Sequence, residues 1–435
     1  MDLIDRACSH LPGFPDASLR RPLTLIDIAL VILSYYAHAV MAMLPGTFWF
    51  RATLLPFTLW LAWSRAATLD LAQCLANVLG VADPLRFAYM NFAWVVSNSS
   101  FRVGCVLRSD DALQLAMCAV ALKSFEWTLI IKDPIRRYET PVAGQPLKVR
   151  PLTVTNIFFD ASDLLFNHRG LGWSWSSEPF PRNPDPPSSI SRQFLDLLLK
   201  VTAFDAALHV VQLVRPSLSR LEGDTIFDET IDLVPRLLLV SCISLCGMIV
   251  IYSSVEVMYQ VCALFGQIVL GQSAAQWPRI ADRPWMSTSV TEFWGKRWHQ
   301  FFRHLFVVYG ARPGRKIAGW YGSIMGAYFV SAVMHVLGLW GLGHGTEFTH
   351  TGGFFIMIGV ASILERKWKQ WTGKEVAGVF GMLWGATWQL IWGSRMVDAW
   401  TRRGIVANEF LPEKMRIGKA LVDMTLTVAA RVRAA

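Results

Sequence analysis

Long stretches without formal charge alternate with short polar segments along the chain. Residues 28–50, 237–255, 257–278, 317–346 and 376–394 contain no Asp, Glu, Lys or Arg, and 348–364 is a slightly shorter run of the same kind. A helix needs about 20 mostly apolar residues to cross the hydrocarbon core of a bilayer, so these six runs predict membrane-spanning helices. Weaker runs at 52–64, 87–101 and 112–131 raise the expected number of spans to eight or nine. In the last of them Lys123 and Glu126 stand three residues apart and can pair on one helix face. Residues 193–214 place Asp196, Lys200 and Asp205 on apolar ground, which predicts an amphipathic or partly buried helix. Five prolines between Pro179 and Pro187 exclude a helix there. The expected fold is all-α: a polytopic transmembrane helix bundle with an interfacial amphipathic helix and an internal tunnel. Its parts are a polar N-terminal segment (1–22), N-terminal membrane helices (23–131), a polar loop (132–192), a core (193–400) and a C-terminal segment (401–435).

Composition agrees with this pattern. Hydrophobic residues make up 53% and charged residues 17%, against roughly 25% charged in soluble domains, and the mean hydropathy is +0.36. A disordered chain, a collagen-like fibre and a small disulfide scaffold are excluded, and the balance argues against a soluble enzyme. Net charge is +9, from 41 basic and 32 acidic residues. The basic residues collect between the apolar runs, at 132–150, 279–316 and 365–374, as the positive-inside rule requires. None of these stretches is dense enough for a nucleic-acid surface, so the expected partner is membrane lipid and not nucleic acid. With 237–255 and 257–278 as one hairpin and 317–346 and 348–364 as another, all three basic stretches face the cytosol. The first apolar run follows residues 1–22 without a cleavage signal and reads as a retained span. Seven cysteines are scattered, and Cys242, Cys246 and Cys262 lie within apolar runs as small buried hydrophobes.

Three segments carry candidate chemistry. Residues 293–304, FWGKRWHQFFRH, put Trp294, Trp298, Phe301 and Leu305 on one stripe of a helix. Glu292, Lys296, His299 and Arg303 fall on another face. An interfacial helix with a solvated basic face is the plain reading of that pattern. Residues 331–338, SAVMHVLG, set His335 inside a long uncharged run that also holds the spaced pair Gly322 and Gly326, which permits close helix packing. An imidazole at that depth needs a hydrogen-bond partner. It is either a neutral general base or a packing histidine bonded to a neighbouring helix. Residues 169–175, RGLGWSW, combine two glycines with Trp173, Trp175 and an Arg169 able to bind phosphate or carboxylate; the alternative is a surface turn. There is no G-x-S-x-G elbow, no strand-borne dinucleotide fingerprint, and no histidine cluster spaced for a di-iron or zinc site, so no metal is expected.

FWGKRWHQ, followed 335 − 299 = 36 residues later by a histidine in a long apolar run, resembles the membrane-bound O-acyltransferase superfamily. It is most similar to the wax-synthase-like branch, with its F-W-[GS]-[KR]-R-W-H-Q block, and RGLGWSW resembles the R-G-[IL]-G-W segment of that branch. The resemblance is dense from about 160 to 365. It implies that His335 is catalytic, and that His299 occupies the place where much of the superfamily has a second polar residue, often Asn or Asp. It implies acyl transfer from acyl-CoA to a lipophilic alcohol, with His299 or Gln300 assisting at the thioester. Trp294, Lys296, Arg297, Trp298, Gln300, Arg169 and Trp173 form the expected substrate-binding set. Lys296, Arg297, Arg303, Arg312, Arg315 and Lys316 are placed either to attract the phosphates of coenzyme A or simply to satisfy positive-inside topology, which explains them equally well. No bound cofactor is expected; acetyl-CoA is a co-substrate. Likeness to the fungal members points to acetylation of a terpenoid or meroterpenoid-type alcohol in secondary metabolism, at the endoplasmic reticulum. A long-chain wax ester synthase shares the same blocks. A transporter of a lipophilic metabolite, with His335 and the Lys123/Glu126 pair as a proton relay, is the rival from another class.

Overall fold

A computed structural model describes residues 21–22, 24–70, 110–139, 146–176, 189–269, 271–341, 347–407, 411 and 413–434. Apart from a two-residue parallel pairing of Arg21–Pro22 with Leu69–Asp70 and two isolated antiparallel bridges, Arg137 with Trp173 and Tyr138 with Val149, these residues are helical or irregular. Among the described residues, five helical stretches are long and apolar enough to cross a membrane: Ile26–Met43, Ile190–Val214, Leu233–Ile268, Arg303–Trp340 and Phe348–Thr372. The expected run 87–101 lies outside the described residues.

Helices α1 (Leu25–Met43), α2 (Phe48–Thr68) and α3 (Asp110–Phe125) form an N-terminal group. Thr24 and Asp27 make a capping box at the start of α1, and Asp27 pairs with Arg65 of α2 at 3.3 Å. A wide turn, Glu126–Ile130, extends α3. The anticipated Lys123–Glu126 pair is present at 2.9 Å, wholly buried, and Glu126 also binds His304 at 2.5 Å. Lys123 lies 3.7 Å from the centre of the Trp175 ring. This cation–π contact closes the cluster from the side of the polar loop.

Helix α4 (Val154–Phe166) starts at Thr153, whose hydroxyl accepts from the Asn156 amide. Helices α5 (Ile190–Val214) and α6 (Leu233–Ile268) run antiparallel: Gln193 meets Gln267, and Lys200 meets Glu256 at 2.7 Å. Two expectations are corrected here. Residues 237–255 and 257–278 are not a hairpin but one 36-residue helix followed by irregular chain. Glu256, which separates the two uncharged runs, does not break the helix because Lys200 neutralises it. The segment read as amphipathic or partly buried, 193–214, is a partly buried spanning candidate for the same reason, its Asp205 being taken up by Arg416 and the Lys419 amide. The α5–α6 pair now supplies the hairpin that keeps the polar loop and the 269–300 segment on one side. Gln272 reaches Asp163, and Arg169 donates to the Pro278 and Arg279 carbonyls.

The described part of the run 317–346 is helical from 320 to 341 and begins at a sharp fold-back. Ala318 and Gly319 leave helical geometry, with Gly319 at φ +57°, and the chain folds back there. The arms are α8 (303–317) and α9 (320–341); α7 is the short helix 290–297 that precedes them. A Cβ on Gly310 would sit 2.2 Å from the Gly326 carbonyl oxygen, and one on Gly314 2.0 Å from that of Gly322. The arms touch backbone to backbone, which only glycine permits, so Gly322 and Gly326 serve the close packing their spacing predicted. Helix α10 (Gly353–Thr372) returns antiparallel to α9, with Gly359 against Met325 and Tyr328. Helix α11 (Gly378–Arg402) runs down beside both: its Gly381 abuts the Thr288 carbonyl and Gly393 faces Phe354. Helix α12 (Ile417–Ala434) lies on α5.

Candidate active site

The core between α7, α9, α10 and α11 is aromatic. Phe354, Phe355, Ile358 and Ala332 are buried, and Trp294, Trp384, Trp388 and Trp400 pack around them. Beside this core lies a cavity of about 770 Å³, within the 300–1,000 Å³ range of small-molecule sites. Its wall follows one side of α11 from Val379 to Trp400 and includes both His299 and His335.

His335 is held by its own helix. Its Nδ1 lies 2.7 Å from the Ser331 carbonyl oxygen one turn back, and its ring stacks on Phe355 at 4.1 Å. A carbonyl only accepts, so Nδ1 carries the proton, and in the neutral ring Nε2 keeps its lone pair. Nε2 makes no hydrogen bond among the described residues.

His299 comes from a different kind of structure. The segment 293–304 is not the single helix expected. Phe293–Arg297 forms a wide π-type turn, Trp298 is extended (φ −71°, ψ 163°), and helix resumes at Arg303. Long-range bonds hold the break: the Asp282 amide donates to the Arg297 carbonyl at 2.8 Å and the Gln300 amide to that of Ile280 at 3.2 Å. The preceding turn is fixed by Glu365 of α10. One of its carboxylate oxygens accepts from the Val290 amide (2.7 Å) and Trp384 Nε1 (3.0 Å), the other from the Thr291 amide (3.0 Å). The break lets Trp294, Trp298 and His299 all reach the cavity, although a continuous helix would put His299 on a different face from the tryptophans. His299 Nδ1 is buried without a partner among the described residues. Burial first, then nearby His335, pushes the His299 pKa down to about 3; the ring is neutral at pH 7.

The other expected residues divide clearly. Trp294 and Trp298 line the cavity, packed 5.5 Å apart. Lys296 is exposed. Arg297 holds Glu292 at 2.8 Å and the Asp282 carbonyl at 3.2 Å, and Gln300 donates to the Trp298 carbonyl; these two shape the break. Arg169 and Trp173 are not brought to the cavity. Arg169 fastens the polar loop to Pro278 and Arg279, while Trp173 is fully buried and donates to Asp163 at 2.9 Å. Arg312, Arg315 and Lys316 are exposed near the turn between α8 and α9. That turn is sixteen residues, about 24 Å of helix rise, from His335. Glu365, Phe354, Phe355 and Gln389 were not singled out from sequence. The one signal for Glu365 was that it ends the uncharged run 348–364.

Residues 277–357, which include both histidines, match the model of the membrane bound O-acyl transferase family. Among curated proteins, the chain is 27% identical over 246 residues to an O-mevalon transferase, macI, of Penicillium terrestre, a match covering 51% of this chain and 55% of that protein. It is 23% identical to the acetyltransferase eriL of Hericium erinaceus, over 71% of this chain and 83% of the relative. It is 26% identical to the acetyltransferase ple2 of Rhodocybe pseudopiperita, over 41% and 48%. The chain thus spans about half the length of two of these relatives. No solved structure matches.

Proposed function

We propose that this chain, an acyltransferase belonging to the membrane-bound O-acyl transferase family, moves an acetyl group from acetyl-CoA to a hydroxyl of a lipophilic, terpenoid- or meroterpenoid-type alcohol. The observation that carries the reading is that two histidines from separate elements share one largely apolar cavity, one of them held with Nε2 free. The alcohol oxygen attacks the thioester carbonyl carbon while His335 Nε2 takes the hydroxyl proton. The carbon–sulfur bond then breaks, and the proton on His335 passes to the departing thiolate. Such general-base help contributes about 10²–10⁴-fold. Placement of both substrates in one cavity, and donors to the developing oxyanion, supply the rest. His299 and Trp294 Nε1, the latter buried and unpartnered among the described residues, are the donors at hand.

Acetyl-CoA is polyanionic and approaches from the end of α11 near Val379, where Arg366, Lys367 and Lys369 of α10 gather. The acceptor reaches the cavity from the bilayer, past exposed Leu245 and Ile249 of α6 and Met382, Leu383 and Leu390 of α11. The same proposal puts the protein in the endoplasmic reticulum membrane. The relatives named acetyltransferases favour acetyl over a long acyl chain. The test is incubation of membranes carrying the protein with labelled acetyl-CoA and a panel of lipophilic alcohols, with product mass spectrometry. Wild-type protein forms an acetyl ester, and His335→Ala forms none while remaining in the membrane. Turnover by His335→Ala near the wild-type rate removes the mechanism.

A further inference from the structure

Away from the histidine pair, the cavity wall presents polar atoms that none of the described residues satisfies. Ser244 Oγ and Trp400 Nε1 are both buried, both without a hydrogen-bond partner among the described residues, and both on residues lining the cavity. A buried helical serine ordinarily bonds a carbonyl one turn back, as Ser362 does to Ile358; Ser244, only 8% exposed, does not. Leaving such a group unmet is costly, and the surrounding wall (Leu245, Met248, Met396, Val397) is apolar.

Their position is defined by helix register. Val397 of α11 abuts Gly247 of α6, where a Cβ would lie 3.1 Å from it. Ser244 precedes that contact by one turn and Trp400 follows it by one turn. The helices run in opposite directions there, so the two residues stand at the same level. On α11, Gln389, Gly393, Met396 and Trp400 share one face. Gly393 is level with Phe354, next to the Phe355 ring on which His335 stacks. Trp400 is seven residues further on, about 10 Å by helix rise. The acyl donor enters from the opposite end of α11, so this arm belongs to the acceptor. An indole N–H only donates and a serine hydroxyl can donate, so the matching group accepts hydrogen bonds.

We propose that the acceptor carries a second oxygen, a carbonyl or hydroxyl, about 10 Å from the hydroxyl that is acylated, and that Trp400 and Ser244 hold it. The proposal rests on the acyltransferase reading for which end of the molecule reacts. A simple fatty alcohol leaves both atoms unmet, so the clamp selects against wax-type acceptors.

The test measures binding, so that it does not depend on turnover. Purified full-length protein in detergent is titrated with two radiolabelled probes: a rigid saturated 3-hydroxy-17-oxo steroid, with its oxygens at opposite ends of the skeleton, and its 17-deoxy counterpart. Wild-type protein binds the keto compound about tenfold tighter, as expected for one buried donor satisfied. The ratio shrinks in Ser244→Ala and falls close to one in Trp400→Phe; should the latter fail to fold, Ser244→Ala alone carries the test. A ratio of one in wild-type protein, the same ratio in both variants, or binding of neither probe overturns the proposal. Acetyl transfer is assayed in parallel with acetyl-CoA. A tenfold preference without transfer to either alcohol counts against the acyltransferase mechanism and leaves the clamp in place.

Discussion

Adding one methyl group at Gly326 tests whether the glycine contact between α8 and α9 sets the geometry of the cavity. A Cβ there would lie 2.3 Å from the Gly310 carbonyl oxygen, and real Cβ contacts begin at about 3.0 Å and are comfortable by 3.4 Å. The arms must therefore separate by 0.7 to 1.1 Å. The obstacle is backbone, which cannot rotate away as a side chain can. The α8 arm is tethered, because His304 binds Glu126 and the Tyr309 hydroxyl donates to the Leu122 carbonyl of α3. The displacement consequently falls on α9, which carries His335 nine residues onward. Overpacking of this kind costs about 1–3 kcal/mol, offset by up to ~1 kcal/mol from the better helix propensity of alanine. A shift near 1 Å in a catalytic group costs on the order of 10²-fold in rate. Gly326→Ala is thus expected to fold, to lose ~1–2 kcal/mol, and to lose roughly a hundredfold in kcat for acetyl transfer. Gly353→Ala, where a Cβ meets nothing within 4 Å, is the control and keeps both. Purified variants in detergent are compared by thermal unfolding and by kcat with acetyl-CoA and an acceptor found by product analysis. A Gly326→Ala enzyme with wild-type kcat would refute the claim that this contact positions His335.

Glu365→Ala removes the acceptor of three hydrogen bonds at the start of α7 and is expected to lower kcat at least tenfold, whereas Glu365→Gln, which can keep the two bonds made by one oxygen, loses less; equal activity of both with wild type counts against the tether. His299→Ala is expected to reduce kcat by about 10–10³-fold, and retention of full activity makes it a packing residue. The pH dependence of stability follows from His299 and His168, whose pKa values burial lowers to about 3 each, with His335 and Lys123 respectively as the second cause. Their unfolded values lie near 6.5, so below pH 6.5 the unfolded chain binds protons that the folded chain refuses. Stability is fully present above that pH and declines towards pH 3, by up to ~1.4 kcal/mol per pH unit for each ring. Thermal unfolding across that window shows it, and His299→Gln flattens the slope.

Much of the bundle could be read from the chain because its determinants are local. Most of the described uncharged stretches became helices, Lys123 met Glu126 within one turn, and the two histidines 36 residues apart share a cavity. What could not be read depends on partners distant in sequence. Glu256 looked like the end of a span until Lys200, 56 residues earlier, neutralised it. FWGKRWHQ has helical periodicity, but Ile280, Asp282 and Glu365 pull it out of helix at Trp298. Arg169 and Trp173 have the chemistry of a ligand site and spend it on the Pro278 and Arg279 carbonyls and on the Asp163 carboxylate. Spacing cannot reveal such contacts, because the same residue types serve equally well inside and outside a site.

The oxygen that orients the His335 ring belongs to the main chain of residue 331. Every amino acid offers that atom, so the serine can be exchanged without changing which ring nitrogen faces the cavity. The orientation of the ring is thereby insulated from mutation at its nearest neighbour, and only a distortion of the helical turn itself can reverse it.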